Sequence, residues 1–208
     1  MDFQAFDKLS YGLYVVSTKS GGRVGACVVN TLTQATVTPT QMTVTVNKEN
    51  ETEKLMEESG LFTAVVLTQS ASMELIGDFG FRCSRDFDKF ARWEHREDEN
   101  GIPYLTEQTA ARFSCKIVGK LDAGSHVVFL GEVLRAECLS EELPMTYAYY
   151  HEVKRGLTPP KASSYRPESA KGYRCKICGY VLESDVIPED FVCPVCGRGK
   201  EQLEQIPE

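Results

Sequence analysis

The sequence predicts a mainly β protein: an antiparallel barrel with peripheral helices, followed by a small domain built around four cysteines. Three observations carry this reading. Runs of β-branched and aromatic residues joined by hairpin-type turns recur between Tyr11 and Cys138, without regular strand–helix alternation. Composition shifts at Thr158 into a Pro- and Ser-rich stretch. Two Cys-x-x-Cys pairs then follow, in a segment too short to fold on an apolar core alone.

The elements read in order as follows. After a short opening helix, Tyr11 to Thr18 is a strand, and the turn Ser20-Gly21-Gly22-Arg23 leads to its hairpin partner, Val24 to Asn30. Met42 to Val46 alternates Thr and Val, as a strand with one buried face should. Asn50 to Gly60 has a cap-type start, acids in its first turn and a terminal Gly, and is a helix. Leu61 to Leu67 returns to strand, and Ser72 to Phe79 is helical again. Phe81 to Gly101 is charged, with only Phe81, Phe87, Phe90 and Trp93 as apolar anchors, and reads as a helix-and-loop excursion over the surface. Two long strands, Ala110 to Leu121 and His126 to Cys138, precede a helix over Thr146 to Arg155. The organisation expected is a barrel over 1–157, a semi-extended linker over 158–172 and a metal domain over 173–208.

A formal net charge of -7 disfavours phosphate-backbone binding, so no nucleic-acid partner is expected. No run approaches the roughly 18 apolar residues of a membrane helix, and the start, Met1-Asp2-Phe3-Gln4-Ala5-Phe6-Asp7, lacks a basic–apolar leader. The expected setting is the reducing cytoplasm, where structural disulfides are not expected.

Cys175-Lys176-Ile177-Cys178 and Cys193-Pro194-Val195-Cys196 place two sulfur pairs on two tight turns. Face to face, these form a tetrahedral cage for zinc or iron. A Gly follows each second cysteine, where the chain must turn back. The flanks, Tyr173, Gly179-Tyr180, Pro188-Glu189-Asp190-Phe191 and Gly197, resemble rubredoxin and the rubredoxin-like tail of rubrerythrin. That resemblance implies a single iron on Cys175, Cys178, Cys193 and Cys196, passing one electron at a time. The insert between the pairs is shorter than in free rubredoxins. Cys27, Cys83, Cys115 and Cys138 read as buried small apolar residues, with Cys83 alone in a loop where it could face a ligand.

Lys8 to Val16, Val29-Asn30-Thr31, Val46 to Asn50, Gly77 to Arg82 and Gly124 to Val133 resemble the flavin reductase family of FMN-binding split barrels, nearest its archaeal ferric reductase and flavoredoxin branch. A split barrel carrying such a tail is similar to the high-molecular-weight rubredoxins of anaerobes. The resemblance implies a homodimer in which NAD(P)H reduces FMN, FMN reduces iron, and iron feeds a flavodiiron oxygen or nitric-oxide reductase. It leaves two alternatives, a ferric or free-flavin reductase and an electron carrier loaded by another enzyme. Asn30, Thr31, Thr33, Gln34 and Thr36 would face the isoalloxazine edge and ribityl chain, or are ordinary Thr-rich strand ends. Asn47, Lys48 and Thr52, at a strand end leading to a helix N-terminus, suit a phosphate, although Lys48 also reads as a plain surface lysine. Arg82, Ser84, Arg85 and Lys89 suit the same phosphate or form a solvated charge run. His126 would orient the nicotinamide, or is a hydrogen-bonded strand-end histidine. Gly25 departs from the family in offering only backbone there, and His95 and His151 read as surface residues.

Overall fold

A computed structural model describes residues 2–154, 156, 158–159, 161–164, 172–175, 180–194 and 197–206. The chain opens on a 3-10 helical segment (Phe3–Lys8). The hairpin β1 (Tyr14–Ser20) and β2 (Arg23–Val29) follows as expected, except that Gly12 is already committed to a bridge with Thr146 and β1 starts later. Next come β3 (Thr33–Val37), β4 (Thr40–Asn47), α1 (Glu51–Ser59), β5 (Leu61–Leu67) and α2 (Met73–Phe81). The short pair β6 (His95–Glu97) and β7 (Pro103–Leu105) precedes the long hairpin β8 (Thr109–Asp122) and β9 (His126–Cys138), and α3 (Tyr147–Glu152) ends the main body. Local chemistry sets the helix ends. Ser72 and Thr146 accept the N–H groups of Leu75 and Tyr149 at 3.1 Å, and Gly60, at φ 68°, turns its N–H back to Met56.

One seven-stranded sheet, in the order β2-β1-β5-β8-β9-β4-β3, is antiparallel throughout. It curls on itself. Val16 of β1, Cys27 of β2, Val44 of β4, Phe62 of β5 and Phe129 of β9 share one buried cluster, although β2 and β4 lie near opposite ends of the strand order. That interior is the antiparallel barrel expected from the strand pattern. A second cluster packs α2, α3 and the loop around Phe90 against the outside of β1, β2 and β5. Among the described residues, no helix is long and apolar enough to cross a membrane.

Three expectations need correction. Residues 82–101 form no helix after α2: the Asp98 carboxylate takes the N–H groups of Asn100 and Ile102, and a β6–β7 hairpin forms instead. Cys138, expected buried, is exposed at the end of β9. His151 is half-buried, its Nδ1 bonded to the Gly156 carbonyl at 2.8 Å.

The tail holds a three-stranded sheet, β11 (Val181–Leu182), β10 (Tyr173–Cys175) and β12 (Leu203–Gln205), with β10 in the centre. Its apolar cluster is Cys175, Cys193 and Leu203, flanked by Tyr173, Tyr180, Leu182, Ile187 and Phe191.

Candidate active site

Helix α1 can start against β2 because Gly25 has no side chain: a Cβ there would lie 2.9 Å from Thr52 Cα. Close backbone approach, rather than ligand contact, therefore accounts for this glycine. Between β2, the start of α1 and the end of α2 lies a cavity of about 220 Å³. It brings together four of the residues singled out from sequence: Thr52, Arg82, Ser84 and Lys89. Cys27 and Cys83 also line it, and Phe79 and Ala26 supply apolar wall.

Lys89 is the least expected of these. It is buried, and its Nζ donates to the carbonyls of Ala26 at 2.7 Å and Phe79 at 2.8 Å. Burial pulls its pKa down to about 8, against the partly offsetting pull of Cys27, Cys83 and Asp78. Ser84 Oγ donates to the Ala26 carbonyl and accepts the Ala26 N–H, which ties the 82–85 loop to β2. Arg82 Nε lies 3.2 Å from Oδ1 of the buried Asp78, whose other oxygen takes Arg92 and Trp93. Arg85 is exposed and stands 4.0 Å from Glu51, which also pairs with Arg23. The first turn of α1 points its N-terminus into the cavity through Asn50, Glu51 and Thr52, a place that favours negative charge.

The remaining residues fall elsewhere. Asn47 pairs across the ladder with His126, and Lys48 N–H bonds to the Ser125 carbonyl, so these stand together at one barrel end. The Lys48 ammonium is paired with Asp122 at 2.7 Å, outside the cavity lining. His126 Nδ1 meets Ser125 Oγ at 2.8 Å, and its Nε2 meets the Lys161 carbonyl at 3.3 Å, which requires the proton on Nε2. Asn30 is buried, while Thr31 Oγ1 is spent on the Thr45 carbonyl. Thr33, Gln34 and Thr36 stand on the sheet-edge strand β3, with Thr33 and Gln34 exposed and a register shift between Gln34 and Thr36.

Sequence reasoning missed the segment that connects these groups. Its Pro- and Ser-rich composition reads as a linker, yet the described residues from Thr158 to Ser164 lie against the barrel. Asn30 Nδ2 donates to Ser164 Oγ at 2.9 Å, and Ser163 Oγ donates to Asn30 Oδ1 at 3.1 Å. Tyr147 Oη meets Thr158 at 2.7 Å and Ser164 at 3.1 Å. Lys161 pairs with Glu49 at 3.4 Å, and Pro159 and Lys161 form part of the cavity wall. Single hydroxyls and a lysine carry no periodic signal, so only the fold reveals them.

In the tail, Cys175 and Cys193 are both buried in the same cluster. The Gly197 N–H returns to the Cys193 carbonyl at 2.8 Å with Gly197 at φ 68°, the tight turn a chelating pair needs. Cys178 and Cys196 lie outside the described residues. Two buried thiols in one cluster, that of Cys193 on such a turn, fit a soft tetrahedral metal. The cavity's cationic, hydroxyl and helix-end groups likewise fit a phosphate-bearing ligand.

Comparison with known proteins agrees with both halves. A family model for the flavin reductase like domain matches residues 6–158, and one for the rubrerythrin, rubredoxin-like domain matches residues 173–204. The chain is 38% identical to the high molecular weight rubredoxin of Moorella thermoacetica, over 99% of this chain and 100% of that protein. It is 43% identical to the ferric-chelate reductase (NAD(P)H) of Archaeoglobus fulgidus, over 79% of this chain and 98% of that one. A diflavin flavoprotein of Synechocystis matches 67% of this chain at 26% identity, and that match covers 24% of the longer protein. In fold, the chain is similar to the NADH:FAD oxidoreductase SgcE6 of Streptomyces globisporus (TM-score 0.63, 21% identity, covering 70% of this chain and 85% of that one). It is similar also to the flavin reductase HpaC solved with NADP+ (TM-score 0.60, 21% identity, covering 69% and 89%).

Proposed function

The chain belongs to the flavin reductase-like family and ends in a rubredoxin-like domain, and from that premise we propose that it is an NAD(P)H-dependent oxidoreductase that binds FMN in the barrel and iron in the tail. The observation that carries the proposal is the cavity at the start of α1, where Lys89, Arg82 and Ser84 converge on a helix N-terminus. Bound there, FMN would accept a hydride and release electrons singly, and a thiolate-held iron would carry them one at a time.

The chain's own residues have definable tasks. Lys89 and Arg82 supply positive charge for a phosphate, and the α1 N-terminus adds its N–H groups. The cavity is smaller than the roughly 300 Å³ of a small-molecule pocket, so a whole flavin needs the wall at Pro159 and Lys161 to move or the ring to extend past it. His126, protonated at Nε2, would donate to a nicotinamide carboxamide in place of the Lys161 carbonyl. Cys175, Cys178, Cys193 and Cys196 would hold the iron. The acceptor proposed is a flavodiiron-type protein, supported by the relative named as a high molecular weight rubredoxin and by the occurrence of this barrel type within longer diflavin flavoproteins. The Archaeoglobus relative supports a second reading, reduction of a ferric chelate by the barrel. A homodimer in the cytoplasm completes the proposal.

A visible spectrum of the purified full chain, followed by anaerobic mixing with NADH and NADPH, tests it. Flavin and ferric-thiolate bands that bleach in that order are expected. Absence of flavin after incubation with FMN would overturn the reading.

A further inference from the structure

Phe81 closes α2 and lines the cavity, yet its ring packs in the tail's apolar cluster with Cys175, Cys193 and Leu203. It is the barrel residue in that cluster among the described residues. The chain that leads to the tail is also held down beside it. Pro159 Cγ lies 3.6 Å from where a Gly80 Cβ would sit, and Asn30 and Tyr147 fasten Ser163 and Ser164. Desolvated hydrogen bonds to a buried asparagine differ from the contacts of a free spacer, because releasing the serines leaves Asn30 unsatisfied.

We propose that the barrel docks its own tail: Phe81 on the cavity rim is the seat, and the Thr158–Ser164 segment is a clasp that delivers the tail's Cys175/Cys193 cluster to that seat within one chain. Among the described residues the apolar contact is centred on one aromatic ring, as suits a contact that can open. It sets Phe81 between the proposed flavin cavity and the proposed metal site. Only that consequence rests on the function proposed above; the docking itself needs neither cofactor.

The test places a benzophenone photo-crosslinking amino acid at position 81 of the full chain and separates the irradiated products on a denaturing gel. A monomer-sized product linking position 81 to the tail peptide spanning Tyr173 to Phe191 is expected. Dimer-sized adducts to the tail, or adducts confined to the barrel, would overturn in-chain docking. Removing both serine hydroxyls, Ser163→Ala with Ser164→Ala, should lower the yield severalfold, and an unchanged yield would refute the clasp. Phe81→Asp should raise the radius of gyration measured by X-ray scattering, and an unchanged radius in a folded variant would refute the seat. None of these readouts involves flavin or nicotinamide, so the docking and the proposed activity can fail separately.

Discussion

The Lys89 ammonium donates to the Ala26 carbonyl at 2.7 Å from a position that solvent barely reaches, on the wall of the cavity proposed for a phosphate. Its charge is therefore expensive without an anion beside it and valuable with one.

This predicts opposite pH responses for empty and loaded protein. Folding lowers the lysine's proton affinity from 10.5 to about 8, mainly by burial, so the unfolded chain binds more protons between those values. This lysine's contribution to flavin-free stability should rise as pH climbs from about 8 towards 10.5. FMN affinity should fall over the same range, because the phosphate favours the charged form. Titration of FMN fluorescence quenching at pH 7, 8, 9 and 10 reads the second effect. A flat profile would remove Lys89 from the phosphate site.

Gly25→Ala should disturb the cavity without touching a ligand. Its new Cβ meets Thr52 Cα at 2.9 Å and Leu55 Cδ1 at 3.0 Å, so the start of α1 must shift. A destabilisation of about 1–3 kcal/mol is expected from denaturant unfolding. FMN affinity should drop together with it, since Asn50, Glu51 and Thr52 line the cavity.

Cys193→Ser should separate the two halves of the chain. A domain with so small a core folds with its metal, so the variant tail should lose both metal and protection from protease. The barrel should keep its melting transition. If the metal is iron, the red thiolate absorption disappears in the variant; stoichiometric zinc in protein made with ample iron would refute the iron assignment.

Arg112 should make barrel stability depend on acid through Glu99. Its buried guanidinium donates to Glu99 at 2.8 Å and to Glu137 at 2.7 Å, and the bond to Arg112 holds the Glu99 carboxyl down to about 2. Folding lowers this group's proton affinity, so its contribution is full above about 4.5 and is lost as pH falls toward 2. Glu99 is half exposed, so the contribution is modest. Glu99→Gln should flatten that part of the stability profile. Asp98→Ala should cost more, since Asp98 takes four donors, from Thr63, Ser114, Asn100 and Ile102.

By itself the sequence determined what depends on near neighbours. Alternating Thr and Val marked β4, the Asn50 start and Gly60 stop marked α1, and Ser72 marked the start of α2, because period and capping act within a few residues. The cysteine spacing marked the tail's chemistry for the same reason. Only the tertiary structure decided which polar residues meet. Thr52 and Lys89 share a cavity because β2 draws in both α1 and the loop after α2, whereas Lys48, equally cationic and nearer to Thr52 in sequence, is turned to Asp122. Asn30 and Ser164, far apart along the chain, form one hydrogen-bonded pair, and the expected linker becomes a clasp. Such partnerships are set by strand register and long-range packing, and a hydroxyl or an ammonium in the sequence carries no record of the distant group it will reach.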